Sequence, residues 1–256
     1  MKKYNFKNKV AIVTGASTGI GYALTEELLK KGTKVVACAR HIDNLKDLNN
    51  KYKKSLLITT CDVRKYQESD KLVEFTIKNF KKIDIVVNNA GVGMLKSVSD
   101  TKMNEVDNIF KTNFHGLVYL TKITLPYFEK QKSGLYVNVA SIAGKTPSIL
   151  NSIYSASKHA VIGFSNSIRR ELRNKNINVL VVNPTFVDTA FFKKNPQYLK
   201  EFGHHTKLVG FIPSEKMAKK TIWAIENNKW ELNYPFLADL YGKLCQIAPK
   251  FAELFA

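Results

Sequence analysis

Short apolar runs alternate with amphipathic stretches along most of the chain. Lys9 to Gly15 (KVAIVTG), Thr33 to Ala39 (TKVVACA), Ser55 to Cys61 (SLLITTC), Ile83 to Asn89 (IDIVVNN), Gly134 to Ser141 (GLYVNVAS) and Ile177 to Pro184 (INVLVVNP) are rich in β-branched residues and apolar at consecutive positions. Strands read this way when helices cover both faces of a parallel sheet. Between the runs, Ile20, Ala23, Leu24 and Leu28 make one helical stripe, which Gly32 is placed to close. Helical spacing also runs from about Gln67 to Phe80, Asn104 to Gln131 and Tyr154 to Asn174. Strand and helix in alternation predict an α/β fold with a doubly wound parallel sheet and right-handed crossovers. Ligands in such sheets bind beyond the carboxyl ends of the strands, so the residues just after each apolar run are the candidates for chemistry.

Composition changes this picture little. With 256 residues and 45% hydrophobic content, the chain can build a large core. No linker-like tract or internal repeat interrupts it, and one domain over residues 1–256 is expected. The net charge of +19 raises the question of a polyanion partner. Only five of the 40 basic residues are arginine, however, and the lysines are scattered with few aromatic neighbours, which fits a solvated surface; no nucleic acid partner is expected. Cys38, Cys61 and Cys245 lack ligand spacing, so neither a disulfide framework nor a metal site is expected. The apolar run Val10 to Val13 is too short for a signal peptide, and no stretch approaches the roughly 20 apolar residues of a membrane span, so a cytoplasmic protein is expected.

The first run leads into TGASTGIG, Thr14 to Gly21, with glycines at 15, 19 and 21. Glycine permits a tight strand-to-helix turn and lets a diphosphate approach the backbone, where the helix N-terminus offers free N–H groups. Further along, NNAG (Asn88 to Gly91) follows the fourth run, and YSASK puts Tyr154 and Lys158 four positions apart on a predicted helix. That spacing brings the ammonium near the phenol, where it is expected to lower the phenol's pKa from about 10 toward a value useful for proton transfer.

Taken together, Thr-Gly-x-x-x-Gly-x-Gly, Asn-Asn-Ala-Gly and Tyr-x-x-x-Lys resemble the short-chain dehydrogenases/reductases over about Lys9 to Thr189. The resemblance implies a Rossmann-type sheet and reversible hydride transfer between a nicotinamide and a carbonyl or secondary alcohol. It assigns Tyr154 as general acid/base, Lys158 to the nicotinamide ribose as well, Ser141 to the substrate oxygen and Asn113 to a proton relay. It places Gly15, Ser17, Thr18, Gly19, Ile20 and Gly21 at the cofactor diphosphate, Asp62 and Val63 at the adenine, and Asn89, Ala90 and Gly91 along the ribose. Turn capping is the alternative for the asparagines. Pro184, Val187 and Thr189 of NPTFVDT match the segment that holds the carboxamide, but Thr185 stands where glycine is usual.

The end of the second run separates the two nicotinamide cofactors: a carboxylate there binds a ribose 2′-hydroxyl, whereas a cation accommodates a 2′-phosphate. Ala39 takes the acidic place and Arg40 follows, which favours NADP(H) over NAD(H). The competing Asp43 reads as a helix N-cap. From about 190 to 212 the chain becomes aromatic, with Phe191, Phe192, Tyr198, Phe202 and Phe211, as expected of a mobile wall over a lipophilic substrate. The tail, 236–256, is largely apolar and permits a lid, a dimer contact or weak association with an anionic membrane surface. The resulting expectation is an NADP(H)-dependent oxidoreductase for a small carbonyl or alcohol, working as a homodimer or homotetramer. The alternatives are a 3-oxoacyl thioester reductase and a non-catalytic nucleotide sensor on the same fold.

Overall fold

The structure is a computed structural model that describes residues 3–147, 149–188, 210–248 and 250. The six expected runs form strands β1 (Val10–Thr14), β2 (Lys34–Ala39), β3 (Leu56–Thr60), β4 (Ile85–Asn88), β5 (Gly134–Val139) and β6 (Ile177–Pro184). Two short strands, β7 (Val187–Asp188) and β8 (Ile212–Pro213), pair with each other, and β9 (Glu231–Tyr234) completes the main sheet. That sheet has seven strands in the order β3-β2-β1-β4-β5-β6-β9, and every pairing is parallel.

Alternation along the strands divides the core into two layers. Ala11 and Val13 of β1, with Val35 and Ala37 of β2, face one layer, and Ile12, Val36 and Cys38 face the other. The first layer is covered by α1 (Gly19–Lys30) and by a helix the sequence reading did not identify, here α7 (Ser214–Glu226), after α2 (Lys46–Lys51), α3 (Tyr66–Phe80), α4 (Met103–Phe110), α5 (Gly116–Gln131) and α6 (Ser152–Glu171). Helices α3, α5 and α6 cover the second layer, and α8 (Phe236–Ile247) follows β9. Helix α1 presents Ala23, Leu24 and Leu28 to the core as its stripe predicts, and Gly32, just past its end, takes φ +80°. Asp43 opens a short 3-10 turn, Asp43–Leu45, instead of capping it; its carboxylate is exposed and paired with Lys46 at 2.8 Å.

Strand order reverses between β1 and β4: β2 and β3 extend to one side, β5, β6 and β9 to the other. The crevice of a doubly wound sheet opens at such a point. Below it, a buried polar chain crosses the sheet. Asn88 Nδ2 donates to Asn138 Oδ1 (2.9 Å), Asn138 Nδ2 to Ser165 Oγ (2.8 Å), and Ser165 Oγ to the Val161 carbonyl (2.6 Å), tying β4 and β5 to α6. Replacing Asn138 with the near-isosteric Leu leaves the buried Asn88 amide without its acceptor. The variant should lose about 1–3 kcal/mol of stability in urea unfolding, with an unchanged m-value.

Candidate active site

Close packing shapes the turn from β1 into α1. Gly15 and Gly19 take φ +62° and +57°, in the left-handed region that glycine enters at least cost. A Cβ on Gly21 would lie 2.3 Å from the Gly15 carbonyl oxygen and 2.4 Å from Asn89 Nδ2, so no side chain fits there. Asn89 fixes the turn from the side: its Nδ2 donates to the carbonyls of Thr14 (2.9 Å) and Gly15 (3.1 Å), while the Thr14 hydroxyl accepts from the N–H groups of Asn89 and Ala90, both at 3.1 Å. Thr18 precedes α1 in an extended conformation with no side-chain cap, and no acidic residue occupies the first turn. Ser17, Thr18, Gly19 and Ile20 thus surround a helix N-terminus whose first N–H groups suit a diphosphate.

Arg40 is exposed at the open end of β2, and Ala39 is buried beside it. Asp62 is engaged by Arg64, a residue the sequence reading gave no role. Arg64 Nε lies 2.9 and 3.0 Å from the two carboxylate oxygens, its Nη2 donates at 2.6 Å, and its Nη1 reaches Asn108 Oδ1 of α4 at 2.8 Å. The guanidinium holds the Asp62 carboxyl below its ordinary range, with Arg40 adding a smaller pull. Val63 is buried against α5, where a Cβ on Gly116 would come within 2.8 Å of it.

The four expected catalytic residues converge. Ser141 precedes a short 3-10 turn, Ile142–Gly144, and its Oγ accepts from the Ala143 N–H at 3.2 Å and donates to the Pro184 carbonyl at 3.4 Å. Its hydroxyl also acts on the Tyr154 phenol, favouring the ionised form. Lys158 is buried, donates to the Val139 carbonyl at 3.0 Å and has its Nζ 5.7 Å from the Tyr154 ring centroid. Asn113 lies in a wider π-helical turn, Lys111–His115, that links α4 to α5. Its Oδ1 accepts from the Val92 N–H (2.8 Å), and its Nδ2 donates to the Val92 carbonyl (2.9 Å) and to Ser157 Oγ (3.0 Å). Gly91 roofs the group: a Cβ there would sit 3.3 Å from Asn113 Oδ1 and 3.5 Å from Lys158 Nζ. Thr14 and Ser157 lie within the TGASTGIG and YSASK motifs without a role assigned by them, and Val92 acts through its backbone; all three support the site.

The electrostatics differ from the sequence expectation. Burial pushes the Tyr154 phenol up to about 12, and Ser141 offsets only part of this. Burial drives Lys158 itself down to about 8. Among the described residues no group of three or more His, Cys, Asp or Glu could hold a metal ion, and the three cysteines are buried free thiols.

Beyond the centre, Thr185 keeps a negative φ and donates its N–H to the Tyr234 carbonyl at 3.2 Å, so this position uses none of glycine's extra freedom. Pro184 ends β6 and Val187 is buried in β7. Thr189, and all of the 190–212 loop except Gly210 to Ile212, lie outside the described residues. Lys145, just after the Ser141 turn, pairs with Glu231 of β9 at 2.5 Å, and Gly242 of α8 packs on Ile142, so the sheet edge and the tail brace the serine.

A glycine cradle at the switch point, with a Ser, Tyr, Lys and Asn cluster beside it, defines a Rossmann-type oxidoreductase. The sequence profile of the short chain dehydrogenases matches residues 9–199, and the chain belongs to that family. An uncharacterized oxidoreductase of Staphylococcus epidermidis is 31% identical over 219 residues, covering 86% of this chain and 91% of its own. The crystal structure of a short-chain dehydrogenase from Streptomyces avermitilis superposes with TM-score 0.84 at 29% identity, covering 96% of both chains. A family member from Burkholderia phymatum, crystallised in complex with NAD, shares the fold with TM-score 0.85 at 24% identity, over 97% of this chain and 96% of its own.

The depressed Lys158 makes a pH signature. Its folded value of about 8 lies below the ordinary 10.5, so between those values the unfolded chain binds more protons. The contribution is present above pH 10.5 and is lost as pH falls through about 8. Stability of the wild type relative to Lys158→Met should therefore rise across that window, as read by denaturant unfolding at a series of pH values.

Proposed function

We propose that the protein is an NADP(H)-dependent oxidoreductase that moves a hydride between nicotinamide and a lipophilic carbonyl compound or secondary alcohol, with Tyr154 as general acid/base. The observation that carries the reading is the convergence of Ser141, Tyr154 and Lys158, with Lys158 Nζ 5.7 Å from the Tyr154 ring centroid, at the open end of β5 beside the glycine cradle.

The cradle fits a dinucleotide, because the space a Cβ would fill at Gly15 and Gly21 is closed by backbone and the first N–H groups of α1 have no side-chain cap. In this reading Gly15, Ser17, Thr18, Gly19, Ile20 and Gly21 take the diphosphate, Asp62 and Val63 the adenine, and Asn89, Ala90, Gly91, Tyr154 and Lys158 the riboses. Pro184, Val187 and Thr189 take the carboxamide. The bound nicotinamide supplies or accepts the hydride; orientation and the proton path are the protein's part. A phenol raised to about 12 is protonated at neutral pH and ready to donate to a carbonyl oxygen as negative charge develops there. Ser141 donates a hydrogen bond to the same oxygen. Ammonium at Lys158 offsets the charge left on the phenolate, and Asn113, through its hold on Val92 and Ser157, keeps the wall of the site in register.

Arg40 carries the cofactor preference. No carboxylate occupies the end of β2, and Asp62 is already neutralised by Arg64, so a 2′-phosphate would meet net positive charge. The apolar substrate is supported at the base of the 190–212 loop, where Phe186 and Phe211 meet edge to face with centroids 6.3 Å apart. Residues 1–256 are read as a single catalytic domain, assembled through α5 and α6 into a homo-oligomer and acting in the cytoplasm.

Tyr154→Phe should reduce turnover by about 100-fold or more while the dissociation constant for the cofactor changes by less than about threefold, read by NADPH absorbance and by fluorescence titration. The KM for NADPH should be about tenfold or more below that for NADH, and Arg40→Ala should remove most of the difference; equal constants in the wild type would overturn the assignment of Arg40.

A further inference from the structure

We propose that the outer edge of the sheet, from α7 across β9 to α8, seats the protein on an anionic phospholipid membrane. β9 ends the sheet and pairs only with β6 among the described residues, so its other side faces outward. Around it, Trp230 is 69% exposed and Trp223 48%; Phe236, next after the strand, is 72% exposed, and Leu237, Leu240 and Ile247 continue the exposed series along α8. Helix α8 buries Ala238, Gly242 and Cys245, which share one face. The opposite face carries Phe236, Leu240 and Ile247 together with Lys243, and exposed apolar side chains gathered in this way mark an interaction surface.

The cations between the rings identify the partner. Lys220 Nζ lies 5.9 Å from the Trp223 ring centroid and 5.5 Å from that of Tyr234, Lys229 Nζ is 5.8 Å from Trp223, and the Arg169 guanidinium is 5.7 Å from Trp230. Lys220 thus joins α7 to β9, and Tyr234 leads on to Phe236, which makes one strip. Lys216 and Lys219 extend its basic side along α7, while the nearby acids Glu226 and Asp239 are paired with Lys31 and Lys243. Tryptophan and aliphatic side chains rimmed by lysine match the boundary between headgroups and acyl chains, where anionic lipids attract the cations and the rings sit at the interface. A second copy of the chain matches poorly, because a two-fold pairing of the strip would bring together two surfaces of the same basic character. Among the described residues no helix is long and apolar enough to cross a membrane, so the contact is peripheral.

The test is flotation of the full chain with phosphatidylglycerol/phosphatidylcholine vesicles and with phosphatidylcholine vesicles, at low and raised salt. The only two tryptophans of the chain, Trp223 and Trp230, both lie on this strip, so a blue shift of their emission reports its burial directly. Expected are a blue shift on acidic vesicles and binding about fivefold or more weaker on neutral ones. The double variant Leu237→Glu/Leu240→Glu should lose about tenfold in partitioning while its oxidoreductase turnover stays at the wild-type level. Lys220→Glu/Lys229→Glu should lose a similar amount, and Phe236→Ser, checked like the others for a native circular dichroism melt, replaces the leucine variant if that fails to fold. Absence of wild-type binding to acidic vesicles overturns the proposal. So does wild-type binding by the folded apolar-face variant, which would mean that general surface charge is responsible. A vesicle-free dimer that the leucine variant converts to monomer also overturns it, since a second copy would then cover the face.

Discussion

One set of hydrogen bonds holds the two halves of the sheet in the arrangement the site requires. The Asn89 amide donates to the carbonyls of Thr14 and Gly15, and the Thr14 hydroxyl receives the N–H groups of Asn89 and Ala90. β1 and β4 are the strands between which the order reverses, so this interlock sits where the crevice opens. It consumes the polar groups of the NNAG segment locally. It also fixes the Gly15 carbonyl so close to Gly21 that α1 can approach only without a side chain there. The cradle is therefore a consequence of backbone packing, and the direction of the α1 N-terminus follows from it.

The cluster of Ser141, Tyr154, Lys158 and Asn113 has the opposite character: its titratable groups are costly in the fold itself. Burial raises the Tyr154 phenol and depresses the Lys158 ammonium, and each shift disfavours the charged form. Partial compensation comes from neighbours, with Ser141 on the phenol and the Val139 carbonyl on the ammonium. Such a pair is held in place by what surrounds it: Gly91 above, the Asn113 turn beside it, and the brace from Lys145, Glu231 and α8 behind the serine. Perturbed titratable groups gathered at the end of a sheet are a mark of functional sites.

Much of this was legible in the sequence because the strong signals were local. Six strands came from runs of consecutive apolar and β-branched residues, and the glycine turn, Tyr154 and Lys158 came from fixed spacings. β9 was missed because ELNY has no β-branched residue and one fully buried side chain, Leu232; its strand character comes from pairing with β6. Helix α7 carries a plain buried stripe, Met217, Ala218, Thr221, Ile222 and Ile225, that lay beyond the last motif and was passed over. Arg64 could not be assigned from spacing, since its value lies in joining Asp62 to Asn108, 44 positions further on. The glycine expected at 185 proved unnecessary because that residue keeps an ordinary φ. A spacing of four positions says nothing about burial, which is the largest influence on both Tyr154 and Lys158.

The π turn at Lys111–His115 has a further consequence for how this chain tolerates change. A turn of that kind holds one residue more than an α-helical turn and absorbs it as a local widening, so the register of the sequence shifts there while the helices on either side keep their course. Excising a single residue here would restore regular winding without turning α4 against α5, since five residues of the wider turn sweep about the same angle as four of an α-helix, but it would remove the widening that sets Asn113. Asn113 would leave Val92 and Ser157 together, and the loop they anchor would lose its attachment. Length in this segment is thus constrained as tightly as residue identity.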